Sequence, residues 1–272
     1  MDRKTLKIIS KNNDYIKELS KLDDKKYRVR SGKFAFEGWK LFEEALKCGL
    51  PLESVLISEK AINDPRLPLT LSEYNENFNI IEVSNEVYDK ISYEKSPEGV
   101  FCVSKALDKL HNLYIIYNGS KFDKHLMVLE GIRDPGNLGT IIRTASAFGI
   151  DCVILSDDCA DIYNSKTIRA AMGALFRTRT ARVKELTQTI LQLRSSGFKV
   201  YGAALDTCSV LLSDLKIADK TAFVIGNEAI GISPQTLKSV DCKVMIPMEN
   251  GTESLNAASA AAVIMWEMYR NK

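Results

Sequence analysis

The chain has 272 residues, of which 45% are hydrophobic and 26% charged, with a formal net charge of +2. It is long enough for two domains, too apolar to be disordered, and too nearly neutral for charge alone to name a nucleic-acid partner. No run reaches the roughly 20 apolar residues of a membrane span and Met1-Asp2-Arg3-Lys4 opens no apolar leader, so a cytoplasmic protein without a membrane segment is expected.

In chain order, apolar spacing from Lys4 to Leu22 is compatible with a helix, followed by a charged break at Asp23 to Lys26. Residues 27 to 38 read as a loop entering a strand, Trp39 to Cys48 as a helix ended by Gly49 and Pro51, and Ser54 to Ser58 as a buried strand. Asn79 to Val83 (strand), Asn85 to Ile91 (helix) and Gly99 to Val103 (strand) complete a small α/β unit. Residues 1 to 47 hold 13 Lys or Arg against 8 Asp or Glu, whereas residues 48 to 105 hold 5 against 10, which concentrates positive charge in the first half. Within that half, Arg28, Arg30 and Lys33 are interleaved with Tyr27, Phe34 and Phe36, a composition suited to single-stranded RNA; alternating aromatics in a strand also suit a core.

Residues 104 to 124 are polar and irregular, with a turn at Asn118-Gly119-Ser120 and a short strand possible at Leu113 to Tyr117. The domain boundary is placed near residue 106, giving units 1–105 and 106–272. Beyond it, apolar strands at Leu126 to Leu129, Cys152 to Leu155, Lys199 to Ala203, Ala222 to Ile225 and Val244 to Ile246 alternate with helical segments, which predicts an α/β domain with a doubly wound parallel sheet. The six cysteines are scattered without a C-x-x-C pair, and the two histidines, His111 and His125, lie near the linker. This argues for reduced thiols and against a zinc centre, another metal site or a Ser-His-Asp hydrolase. Neither a G-x-G-x-x-G nor a G-x-x-x-x-G-K-[ST] turn occurs, so a dinucleotide or triphosphate site is not indicated.

Three Gly/Asn-rich turns, each after an apolar run, carry the functional information. They are Asp134-Pro135-Gly136-Asn137-Leu138-Gly139-Thr140-Ile141-Ile142-Arg143, then Gly226-Asn227-Glu228-Ala229-Ile230-Gly231, then Ile246-Pro247-Met248-Glu249-Asn250-Gly251-Thr252-Glu253-Ser254-Leu255-Asn256. Each would put amides and a few polar side chains at a strand's carboxyl end, where open α/β sheets bind ligands. Arg143 is expected in the first turns of a helix Thr140 to Phe148, and Ser254 could cap a helix running to Tyr269. Glu228 could hold Arg143 or Asn137 by hydrogen bonding, or simply cap a helix.

In order and spacing, the three turns resemble the signature motifs of the SpoU (TrmH) family of RNA ribose 2'-O-methyltransferases, of the SPOUT class. The resemblance covers residues 120 to 272 and, more loosely, the first hundred, where Phe34 to Gly38 resembles the start of a ribosomal-protein-like substrate-binding fold. It implies a parallel-sheet domain with a trefoil knot, S-adenosylmethionine as cofactor, an RNA partner and a homodimer formed through the C-terminal domain. It further implies Asn137, Arg143, Glu228, Ser254 and Asn256 as catalytic residues. Gly226, Asn227, Ile246, Met248, Ser254 and Leu255 are implied at the cofactor, and Arg169, in Arg169-Ala170-Ala171-Met172-Gly173-Ala174, joins Arg28, Arg30, Lys33 and Arg143 toward RNA. Ala171 stands where the family pattern has serine, which removes a hydroxyl contact there. The appended N-terminal domain favours ribosomal RNA (23S) over tRNA as substrate, and a catalytically silent RNA-binding or ribosome-assembly protein of the same fold is the alternative from another class.

Overall fold

The computed structural model describes residues 6–73, 78–107, 124–206, 208–249 and 254–271. The possible strand at Leu113 to Tyr117, the turn at Asn118 to Ser120, His111 and positions 250–253 of the third motif lie outside the described residues. The chain divides into two compact units, the first comprising Met1–Leu107 and Tyr163–Phe176, the second Asp108–Ile162 and Arg177–Lys272.

The first unit runs β1 (Leu6–Ile8), α1 (Asp14–Leu19), α2 (Lys25–Ser31), β2 (Lys33–Glu37), α3 (Trp39–Lys47), β3 (Leu52–Ser58), α4 (Arg66–Glu73), β4 (Asn79–Val83), α5 (Asn85–Ile91) and β5 (Val100–Lys105). Its sheet has the order β1-β4-β3-β5-β2, with β5 antiparallel to both of its neighbours. The expected helix Lys4 to Leu22 is replaced by an edge strand, β1, paired with β4, and a shorter helix. The cause is Asn13, whose side chain accepts from the amides of Tyr15 and Ile16 and so starts α1 only at Asp14. Residues expected as a loop are α2, because Asp24 accepts from the amides of Lys26 and Tyr27 and Gly32 ends the helix at φ 64°.

That helix turns Arg28 inward. Arg28 is 5% exposed, and its guanidinium donates to the carbonyls of Leu22 (2.7 Å) and Asp23 (2.6 Å). Phe34 and Phe36, on β2, are buried as well. They pack on Tyr163 (4.5 Å between rings) and Phe176 (4.8 Å), aromatic residues from α7 (Ser165–Ala171), α8 (Ala174–Arg177) and their flanks. The Tyr163 hydroxyl donates to the carbonyl of Leu107 and accepts from its amide, which fastens this later segment to the end of the first.

The second unit is built on a sheet of order β10-β12-β9-β11-β6-β7-β8, parallel throughout. Its strands are β6 (His125–Leu129), β7 (Cys152–Ser156), β8 (Thr180–Val183), β9 (Lys199–Ala203), β10 (Val210–Leu211), β11 (Thr221–Ile225) and β12 (Cys242–Met245). The helices are α6 (Pro135–Ala147), α9 (Leu186–Ser195), α10 (Pro234–Ser239) and α11 (Ala257–Arg270). Strands β6, β7 and β11 are buried along their whole length, as a parallel sheet covered on both faces requires. The chain steps outward from β6 through β7 to β8, then returns to the other side, where β11 lies between β9 and β6. Such reversals leave a crevice at the carboxyl ends of the strands.

Replacing Arg28 by Met is expected to destabilise the protein by roughly 2 to 3 kcal/mol, because the charge-assisted bonds of a buried guanidinium to the Leu22 and Asp23 carbonyls are lost. Urea unfolding of R28M against the native chain checks this, and an unchanged midpoint contradicts it.

Candidate functional site

The first motif is helical from its second residue. Asp134 caps α6, accepting from the amide of Asn137 at 2.7 Å, and Pro135 occupies the first helical position, where a missing amide costs nothing. Asn137 therefore sits in the first turn of α6. Arg143 does not: six residues further on, it lies about 9 Å along the axis and some 120° around it. Arg143 is exposed, with no hydrogen-bond or ion-pair partner among the described residues, so of the two partners open to Glu228 it is not the one taken.

Glu228 bonds Asn137 instead. Asn137 Nδ2 donates to Glu228 Oε1 at 2.6 Å, and Asn256 Nδ2 donates to Asn137 Oδ1 at 3.1 Å. Residues 137, 228 and 256, one from each motif, thus meet through a single amide. Asn256, rather than Ser254, caps α11, its Oδ1 accepting from the amides of Ala258 and Ser259. Ser254 is exposed and lines the adjoining cleft.

That cleft, of about 490 Å³, opens at the carboxyl ends of β9, β11 and β12. The six positions expected to hold a cofactor, Gly226, Asn227, Ile246, Met248, Ser254 and Leu255, all line it. Ile225, Ile232, Leu237 and Val244 make its walls apolar, and Glu228 is the one charged residue among its described lining. Gly226 is indispensable to this shape: a Cβ built there would stand 2.2 Å from the Gly231 carbonyl carbon and 2.3 Å from the Ile232 nitrogen. Asn227 and Gly231 exchange backbone bonds at 3.1 and 2.9 Å, closing the loop. The Asn227 side chain is spent on the loop itself, donating to the Gly131 carbonyl (2.8 Å) and accepting from the amides of Ala229 and Ile230.

Residues not anticipated from the sequence hold this frame. Glu130, at the end of β6, accepts from the amide (2.9 Å) and hydroxyl (2.7 Å) of Ser233 and from the Thr236 hydroxyl (2.8 Å), anchoring α10 where the loop ends. Arg182 donates to the carbonyls of Ser156, Asp157, Cys159 and Ala160, shaping the turn after β7. In that turn the Ser156 hydroxyl beside Asp158 holds the Asp158 carboxyl below its usual range, with Arg133 adding to the effect. A carboxylate before a glycine at a strand end, and serine before proline at residue 233, were the available signals for Glu130 and its partner.

The residues expected at RNA fare differently from one another. Arg28 is interior, as described above. Lys33 is ion-paired to Glu53 at 2.8 Å, and Arg169 is ion-paired to Glu94. Arg30 is exposed, its guanidinium 5.0 Å from the centre of the Tyr27 ring, and it lines a broad surface hollow with Lys21, Lys26, Asp23 and Asp24.

Residues 124–266 match the SpoU rRNA Methylase family, and residues 13–102 match the MRM3-like substrate binding domain. The chain is 30% identical over 262 residues to the 23S rRNA (guanosine(2553)-2'-O)-methyltransferase RlmP of Bacillus subtilis, covering 96% of this chain and 98% of that protein. An AdoMet-bound rRNA methyltransferase from Sinorhizobium meliloti is 26% identical with a TM-score of 0.85, covering 98% of each chain. An RNA methyltransferase of the TrmH family from Porphyromonas gingivalis is 28% identical with a TM-score of 0.80, covering 96% of this chain and 99% of that one.

The close approach at Gly226 makes one outcome specific. Gly226→Ala is expected to destabilise the second unit by at least about 2 kcal/mol, since backbone must move to admit a methyl group. A thermal unfolding curve of G226A that overlays the native curve refutes the requirement.

Proposed function

The chain belongs to the SpoU rRNA Methylase family, and from that premise we propose that it methylates a ribose 2'-hydroxyl of 23S ribosomal RNA with S-adenosylmethionine as donor. The observation that carries this reading is the cleft beside the Asn137, Glu228 and Asn256 cluster. It is nucleoside-sized and apolar, and it has glycine where backbone must come close. Its described lining has one carboxylate and no lysine or arginine, which suits a cationic ligand without phosphates and disfavours a dinucleotide.

Gly226, Ile246, Met248, Ser254 and Leu255 would hold the cofactor, and Asn227 would act through the shape of its loop. When bound, S-adenosylmethionine supplies a methyl group on a sulfonium centre, activated for in-line displacement. Asn137, Glu228 and Asn256 keep the three loops in register, so that alignment supplies much of the rate. Arg143 presents a permanent cation at the exposed flank of α6, where it lowers the pKa of the attacking hydroxyl and steadies negative charge developing on its oxygen. In the first unit, Arg30 with Lys21 and Lys26 supplies phosphate contacts for docking RNA, a role supported by the substrate-binding match over residues 13–102.

The chain path is read as a trefoil knot around the cleft, supported by the likeness to TrmH-family structures and by β11 lying between β9 and β6. A homodimer through the C-terminal unit is supported by an exposed apolar face on α11, where Val263 (40%), Trp266 (51%) and Tyr269 (47%) lie with Phe148 at the end of α6. The working compartment is read as the cytoplasm; among the described residues no helix is long and apolar enough to cross a membrane.

Incubation with labelled S-adenosylmethionine should transfer methyl to deproteinised ribosomal RNA and make one position resistant to alkaline cleavage. Arg143→Ala should lower the rate by roughly 100- to 1,000-fold while leaving cofactor affinity intact. Absence of labelling in both ribosomal and transfer RNA contradicts the substrate assignment. Trp266→Glu should shift the chain to monomer in sedimentation, and an unshifted oligomer rules out this face.

A further inference from the structure

One carboxylate near the cleft has no part in the motif cluster. Glu130 is half-buried at the end of β6, has no ion-pair partner among the described residues, and turns both oxygens to the start of α10. Its Oε2 accepts from the Ser233 amide, and its Oε1 accepts from the hydroxyls of Ser233 and Thr236. The residues so held are flanked by cleft wall: Ile232 precedes Ser233, Leu237 follows Thr236, and both line the cleft. Thr236 is 1% exposed, so its hydroxyl depends on that carboxylate. The other end of the same loop is held by the same strand end. The Glu130 amide donates to the Ile225 carbonyl at 2.9 Å, and Asn227 Nδ2 donates to the Gly131 carbonyl at 2.8 Å. Residues 130 and 131 thus grip the second motif on both sides.

We infer that Glu130 is a positioning residue for the cofactor: it sets where the Ile232 and Leu237 wall stands, and so how closely the cleft fits S-adenosylmethionine. A carboxylate suits this task because it accepts at three points and presents no donor, whereas a glutamine would set its NH2 group against the Ser233 amide. Dispersion contacts fall steeply with distance, so a wall displaced by less than about 1 Å forfeits a large part of its attraction for an apolar ligand surface. Such a shift leaves the reacting atoms alone, because Glu228 remains fixed to Asn137 and Asn137 to Asn256. Glu130 therefore acts on cofactor affinity and not on the methyl-transfer step. The inference rests on the methyltransferase reading and goes beyond it in giving Glu130 this role.

Three single variants of the full chain separate positioning from plain stability. Thr236→Val keeps the volume and deletes the hydroxyl, Thr236→Ser keeps the hydroxyl and deletes a methyl group, and Glu130→Gln loses the acceptor facing the Ser233 amide. Calorimetric titration gives the Kd for S-adenosylmethionine, with steady-state methyl transfer to deproteinised ribosomal RNA and thermal unfolding alongside. Thr236→Val and Glu130→Gln should each raise Kd and KM for the cofactor roughly tenfold, the worth of one hydrogen bond to a charged group. Their kcat and their KM for RNA should stay within about twofold of native. Thr236→Ser should keep the native Kd although its melting temperature falls. A Thr236→Val protein that melts lower with an unchanged Kd overturns the proposal. So does a Thr236→Ser protein that binds as weakly as Thr236→Val, because the contact would then serve stability alone. Native protein that binds no S-adenosylmethionine brings down the methyltransferase reading and this inference with it, whereas native binding with unaffected variants brings down the inference only.

Discussion

The candidate site depends on the orientation of one side-chain amide. Asn137 has its donor toward Glu228 and its acceptor toward Asn256, and neither aspartate nor leucine could present both. The chain of donors is directional. The Ala258 amide gives to Asn256 Oδ1, Asn256 gives to Asn137, and Asn137 gives to the Glu228 carboxylate. It thus runs from the positive end of α11 to a negative charge, so each bond polarises the next. Three loops far apart in sequence share one geometry in which these polar groups are satisfied together.

Helix α6 separates two kinds of chemistry. Its first turn, through Asn137, organises a cleft whose described lining carries one carboxylate and no cation. Two turns later, Arg143 offers a positive charge on a different face. On the proposed reading, a cationic donor and an anionic RNA backbone would be drawn to different sides of one rigid element. The helix sets their spacing more reproducibly than a loop would.

Much of the second unit was legible in the sequence because its strands are buried on both faces and so read as apolar runs. Strand β8, Thr180–Val183, escaped because Thr180 and Arg182 break the run, and β10 is only two residues long. The motif residues were legible as a set, and their partners were not: nothing in the order of residues says that Glu228 reaches Asn137 rather than Arg143. The N-terminal unit was harder. Asp24 and Gly32 bracket α2 as helix caps, yet between them Tyr27-Arg28-Val29-Arg30 alternates like a strand, and the alternation misled. The fate of Arg28, Lys33 and Arg169 depends on tertiary partners, namely carbonyls of the preceding turn, Glu53 and Glu94, which spacing along the chain does not reveal.

The later segment fastened to the first unit alters how that unit can come into being. Phe34 and Phe36 emerge early in synthesis, but Tyr163 and Phe176, which cover them, are made only after β6 and β7 of the second unit. The N-terminal unit holds one core cluster drawn wholly from residues between Ile8 and Val103, but the side of β2 that carries Phe34 and Phe36 is completed only by the later segment. That aromatic face is therefore covered last in the order of synthesis, once residue 176 has been added. The two units are separable by compactness yet interlocked in the order of their completion.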